Sequence, residues 1–297
     1  MAEPTYDLRA LWRAVGASAS PGLPLTAPTE REAPETPVEM IDESPRPVDG
    51  VSPLEVAGFV DGVQSTLTLT HRDWRPVHLV YVAAAALGEG RRVLGLRERL
   101  VLLVSRADVD WAQSLPGGVP AVSLDEESPF ALTAAGVAAV GGARDALERA
   151  LVSDLLGEGV GTLVVDGSLI GRPASPAVVG VAKTIATRYL EDESVLLDLP
   201  EGWRSPRFTI PAGVGGGSFP RASCYLRLSG SRYRRWDHGL VRLEASDPAQ
   251  LDALGARCRL ERQGPGSLDP RGDRHLTSVA TVEAFLRARR PAVFALR

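Results

Sequence analysis

Apolar, β-branched residues gather in short blocks along this chain, and two of the blocks stop at an Asp-Gly pair. Residues 162–169 read Thr-Leu-Val-Val-Asp-Gly-Ser-Leu, and residues 58–62 read Gly-Phe-Val-Asp-Gly. A short apolar run closed by a turn signal predicts a buried strand, so Asp61 and Asp166 are expected at strand ends. The block over 56–69 is predicted to break at Asp61-Gly62 and resume as a second strand with alternating polarity. His71-Arg-Asp73 is then a turn and 74–82 a third strand, which together make an antiparallel meander. A further apolar run covers 100–104, and Pro116-Gly-Gly118 is a loop.

Helical periodicity takes over in the middle of the chain. Leu147, Leu151 and Leu155 recur at i, i+4 and i+8, which predicts a helix over 143–156 with Glu148 beside the apolar stripe. Gly141-Gly142 precede it, and Gly157 and Gly159 end it. A second helix is expected over 177–190, carrying Lys183, and a strand over 194–199. The glycines of 211–219 lack the spacing of a nucleotide cradle. Residues 223–228 and 239–243 pair as a hairpin around Arg232, Arg234, Arg235 and Trp236. Helices follow over 248–258 and 275–289, the last opened by His275, with a polar Gly/Pro-rich loop over 261–274 between them.

Residues 1–50 differ from the rest. Leu8, Leu11, Trp12 and Val15 lie on one face of a short helix over 6–15. Residues 20–50 are rich in Pro and Glu and too poor in apolar periodicity to offset ordering entropy, so a flexible or extended arm is expected. The body is then 51–297, a second domain after the arm of 1–50.

Composition narrows the function classes. The chain has 297 residues, 44% hydrophobic and 24% charged, which suits a soluble globular protein with a sizeable core. A net charge of −4 argues against a protein that coats nucleic acid, though local arginine clusters still bind phosphate. Two cysteines, Cys224 and Cys258, are too few for a disulfide framework or a structural zinc site, and they are read as free thiols in a reducing cytoplasm. No apolar run of about 18 residues predicts a membrane span, and no secretory signal is visible. Lys183 is the only lysine, against 32 arginines. Lys is a compact point charge where Arg is a planar fork, so a lysine kept in this background marks a place where one ammonium fits, or is retained by chance.

The acids carry the candidate chemistry. If the strands ending at Asp61 and Asp166 are neighbours, their carboxylates converge and repel unless a proton or a hard divalent cation lies between them. The order of elements and acids resembles the RNase H-like nuclease architecture, an α/β mixed sheet with flanking helices. More closely, it resembles the NurA family of nucleases. The residues that carry the resemblance are Val60-Asp61-Gly62, Ala146-Leu-Glu-Arg149, Leu163-Val-Val-Asp-Gly-Ser-Leu169 and Val179-Gly-Val-Ala-Lys-Thr184. Tyr225-Leu-Arg-Leu228, Leu240-Val-Arg-Leu-Glu244 and His275 add to it. It spans roughly 51–290. Asp61-Gly62 is followed by Val63 where the family has Ser, and no Tyr precedes His275 within 261–274.

The resemblance implies a Mn2+- or Mg2+-dependent DNA nuclease that forms a homodimer. It also implies a HerA-type hexameric ATPase as partner, in DNA-end processing and repair or in phage defence. Phosphodiester hydrolysis needs a water made nucleophilic and a stabilised leaving oxygen, and two divalent ions about 4 Å apart do both. In this scheme Asp61 bridges the ions, and Glu148 and Asp166 complete their shells. His275 ligates or moves a proton, and Lys183 offsets phosphate charge. Arg232, Arg234, Arg235 and Trp236 make a basic, aromatic patch for a DNA backbone and a stacked base.

Each of these residues also has an ordinary reading. Asp61 and Asp166 are turn aspartates, Glu148 pairs with Arg144 on a solvated face, His275 caps a helix, and 232–236 is a solvated hairpin tip. A catalytically degenerate adaptor that binds DNA or an ATPase is the competing function. A small-molecule enzyme is disfavoured, because no Gly-rich cofactor fingerprint and no Gly-x-Ser-x-Gly elbow are present.

Overall fold

The computed structural model describes residues 6–15, 38–126, 128–183, 185, 189–190, 192, 194–230, 237–262 and 274–295. Arg232, Arg234, Arg235, Trp236 and most of the 261–274 loop lie outside the described residues, as does 16–37 of the arm.

Helix α1 (Leu8–Ala14) starts where the Asp7 side chain accepts from Ala10 N at 3.0 Å. It buries Leu11 and docks through Asp7 N to Gly117 O at 3.1 Å. β1 (Glu39–Met40) and β2 (Arg46–Pro47) come from the proposed arm but pair with strands of the body. Asp42 fixes this stretch by bonding both Arg204 and Arg207, and those bonds hold its carboxyl below the usual range against the opposing effect of burial.

β3 (Gly58–Arg72), β4 (Arg75–Leu87) and β5 (Val93–Ser105) form the antiparallel meander. The expected break at Asp61-Gly62 is absent: β3 runs straight through it, because every residue from Phe59 to Thr68 keeps its partner on β4. The turn is the two-residue pair Asp73-Trp74, both at positive φ. β4 is buried on both faces, which is why it reads as one apolar run rather than an alternation. Leu79, Tyr81, Ala83 and Ala85 enter one core cluster, while Val80, Val82, Ala84 and Ala86 enter clusters on the other face.

α2 (Val109–Gln113) and β6 (Ala121–Leu124) lead to α3 (Pro129–Gly157), a 29-residue helix. Gly141-Gly142 lie inside it rather than before it. Two glycines cost roughly 1 kcal/mol each relative to alanine, and burial of Leu132, Val140, Leu151, Val152 and Leu155 against the sheet outweighs that.

β7 (Leu163–Asp166) ends at Asp166 as expected. β8 (Val178–Ala182) corrects the helix expected over 177–190. Val-Val-Gly-Val-Ala is fully buried between two strands, and a run covered on both faces carries no helical period. Lys183 follows the end of this strand. The strand expected over 194–199 is instead the short helix α4 (Ser194–Leu197), started by the Asp192 side chain accepting from Ser194 N at 2.9 Å.

β9 (Trp203–Arg204), β10 (Phe208–Ile210), β11 (Arg221–Arg227) and β12 (Leu240–Ala245) complete the sheet, followed by α5 (Gln250–Glu261) and α6 (Thr277–Arg289). The fold is α/β. Among the described residues its strands form one mixed sheet, ordered β1-β10-β11-β12-β8-β7-β3-β4-β5-β6, with β2 and β9 to the side. α3 covers one face; α1, α5 and α6 pack on the other. No helix among these residues is long and apolar enough to cross a membrane.

Candidate active site

The site lies where the sheet steps. β3 pairs in parallel with β7 only over Gly58–Val60, with Val60 opposite Val165. Asp61 and Asp166 therefore stand side by side at the point where β7 stops and β3 continues. Phe59, Val63 and Val164 belong to the core beneath α6, so the alternation places both aspartates on that face.

Glu148 arrives from the opposite face, on α3. It passes over β3 at Gly62, where a Cβ would collide with Glu148 Oε1 and lie 2.9 Å from Arg144 Cγ. Gly62 is thus needed for close approach and not for a turn. Asp61, Glu148, Asp166, Lys183 and His275 line one cavity of about 350 Å³, with Arg144, Ser168, Arg242 and Glu283. All five residues expected to act together from the sequence are brought together.

Their partners are specific. Lys183 Nζ donates to Asp166 Oδ2 at 2.9 Å. Arg172, as buried as Glu148 itself, donates to Glu148 Oε2, and Arg144 Nε stands 3.4 Å from Oε1. Glu148 is buried, which excludes the solvated-face reading although its pairing with Arg144 is real. Asp61 Oδ1 accepts from Gly62 N at 2.8 Å. Arg274 donates to Lys183 O at 2.7 Å and to Asp237 Oδ2 at 2.6 Å, tying the segment that leads into His275 to the end of β8.

The electrostatics follow from burial. The Asp61 carboxyl is pushed well above its ordinary range, first by burial, then by the charge of Asp166, with Lys183 opposing and Glu148 adding. Glu148 is also raised by burial, and Arg172 and Arg144 hold it down in part. This excess of carboxyl groups around Asp61, which Lys183 offsets only in part, is chemistry that fits a hard divalent cation. Asp61 and Asp166 present the donors. Glu148 is engaged by two arginines as placed, and no three Asp, Glu, His or Cys side chains among the described residues are grouped closely enough to encircle an ion.

Sequence reasoning missed Arg172, Arg242, Glu283 and the partners of Ser168. Glu244 and Arg242 did leave a trace. In the otherwise apolar strand Leu240-Val-Arg-Leu-Glu244, two opposite charges two residues apart share one face. Arg172 left none, because only folding brings it to Glu148. Compared with known proteins, the chain matches no family model, and no curated protein matches it.

Proposed function

We propose that this protein is a divalent-metal-dependent DNA nuclease that hydrolyses phosphodiester bonds, with an RNase H-like, NurA-like arrangement of its core. The observation that carries the reading is the convergence of Asp61, Glu148, Asp166, Lys183 and His275 on one cleft. The order of elements supports it too: an antiparallel meander bearing Asp61, a helix bearing Glu148, then a parallel strand bearing Asp166 is the order the resemblance implies.

Asp61 and Asp166 would hold Mn2+ or Mg2+, and Glu148 and His275 would complete the set by closing on the ion from where they stand here. A bound divalent ion supplies an activated water and stabilises developing charge. Lys183 neutralises the phosphate from the Asp166 side. His275 lies within the cleft to pass a proton to the leaving oxygen. Gly62, with no side chain, lets Glu148 approach β3 and reach the cleft. The same reading includes a homodimer and a HerA-type ATPase partner, in DNA-end processing and repair or in phage defence.

One observation favours a second reading, a non-cleaving adaptor on the same scaffold. Glu148 is held by two arginines and Asp166 by Lys183, so two of the three acids already have cationic partners. The deciding experiment is cleavage of labelled single- and double-stranded DNA with Mn2+, Mg2+ or EDTA, beside Asp61→Ala. Cutting is expected with metal and is lost in EDTA and in the variant. Equal cutting by Asp61→Ala would refute the nuclease. No cutting with either metal, with or without the ATPase, supports the adaptor.

A further inference from the structure

Glu244 is a fully buried carboxylate to which the proposed chemistry assigns no part. It lies on β12, level with Gly180 of β8. Its oxygens accept from Ser168 Oγ at 2.8 and 3.0 Å and from Leu169 N at 2.8 Å. They also accept from Arg242 Nε at 3.1 Å and Nη2 at 2.8 Å. Arg221, likewise without exposed surface, brings its Nε to 3.5 Å.

Stability alone is a weak reason to keep such a group. A buried ion pair replaced by well-packed apolar residues is often neutral or better. What Glu244 touches is more telling. Ser168 and Leu169 are the middle of the short 167–172 loop, and both ends of that loop reach the cleft. Asp166 precedes it, across Gly167 at φ +124. Arg172 ends it, with its amide bonded to Leu169 O at 3.0 Å and its guanidinium gripping Glu148. The loop lies flat on β8 because Gly180 has no side chain; a Cβ there would stand 2.7 Å from Gly167 O. Fixing the middle of this loop therefore fixes Asp166 directly and Glu148 through Arg172.

We propose that Glu244 is a positioning residue of the active cleft, which anchors the 167–172 loop so that Asp166 and Glu148 keep their working separation. The inference rests on the nuclease reading. It extends that reading to a residue that touches neither substrate nor metal.

The test uses the full chain with Glu244→Gln, which keeps size and removes charge, and with Ser168→Ala and Ser168→Thr. Supporting groups of this kind are worth about 10- to 100-fold in activity. Glu244→Gln is expected to lower kcat by that factor with KM for DNA changed less than about two-fold, the signature of lost alignment rather than lost binding. Ser168→Ala should fall in the same direction and Ser168→Thr should retain activity. The double variant Glu244→Gln/Ser168→Ala should be no worse than Glu244→Gln alone, since both remove one anchor. Hydrogen exchange at the Leu169 amide should quicken in Glu244→Gln. Wild-type kcat in Glu244→Gln, or Ser168→Thr as damaged as Ser168→Ala, overturns the proposal. Unchanged exchange refutes the anchor by itself, whereas a wild-type protein that cuts no DNA with either metal, with or without the ATPase, refutes the nuclease reading and the positioning role with it.

Discussion

Asp61 stands between two core residues, Phe59 and Val63, on the buried face of β3, and its carboxyl titrates above the ordinary range because of that burial and of Asp166. A folded-state pKa raised above the unfolded value gives stability that is intact below the unfolded pKa and lost as pH rises through the folded one. In EDTA, Asp61→Asn should therefore match wild type in Tm near pH 4 and exceed it increasingly toward pH 8. Added Mn2+ should raise the wild-type Tm and close this gap, which thermal scans at several pH values check. At this scale the acids were legible and their partners were not. Asp61 and Asp166 announce themselves because each follows an apolar run. Arg172 grips Glu148 from 24 positions away, across a loop whose path only the sheet determines. Gly62 was legible as a glycine, but its role was misjudged: Asp-Gly is a common turn, and here the missing side chain admits Glu148 instead.

Among the elements, α3 shows packing overriding local preference. Its apolar stripe was visible from Leu147 to Leu155, but Gly141-Gly142 hid the preceding three turns. Gly142 has open space where a Cβ would lie, so Gly142→Ala should stabilise the protein by about 0.5–1 kcal/mol. Urea unfolding measures this, and an equal loss would mean that the helix needs its flexibility there. The mistaken helix over 177–190 has the opposite origin. A strand buried on both faces loses the alternation that identifies strands, and alanines beside the valines imitate a helix. The antiparallel meander was easier, since Ser65 to Thr70 keeps one polar and one apolar face; it lacks the expected break at Asp61, and its turn is Asp73-Trp74 rather than His71-Arg-Asp73.

In the whole molecule, one sheet carries both the arm-derived strands β1 and β2 and the cleft, with core on both faces. Both cysteines are buried in that core as free thiols. Burial pushes the Cys258 thiol up to about 12 and Cys224 higher still, so neither supplies thiolate at neutral pH. Labelling by a thiol reagent should stay absent in the native protein and appear in step with unfolding followed by circular dichroism. Reaction ahead of that transition would reveal an independently opening part of the sheet. The lone lysine has a practical consequence of its own. Lys183 keeps 9% of its side chain accessible, lines the cleft and holds Asp166 at 2.9 Å. Reductive methylation with carbon-13 formaldehyde would install, apart from the terminal amine, a single NMR reporter at the centre of the cleft. Its chemical shift would follow the charge of Asp166, and Mn2+ arriving beside it would broaden that one resonance away.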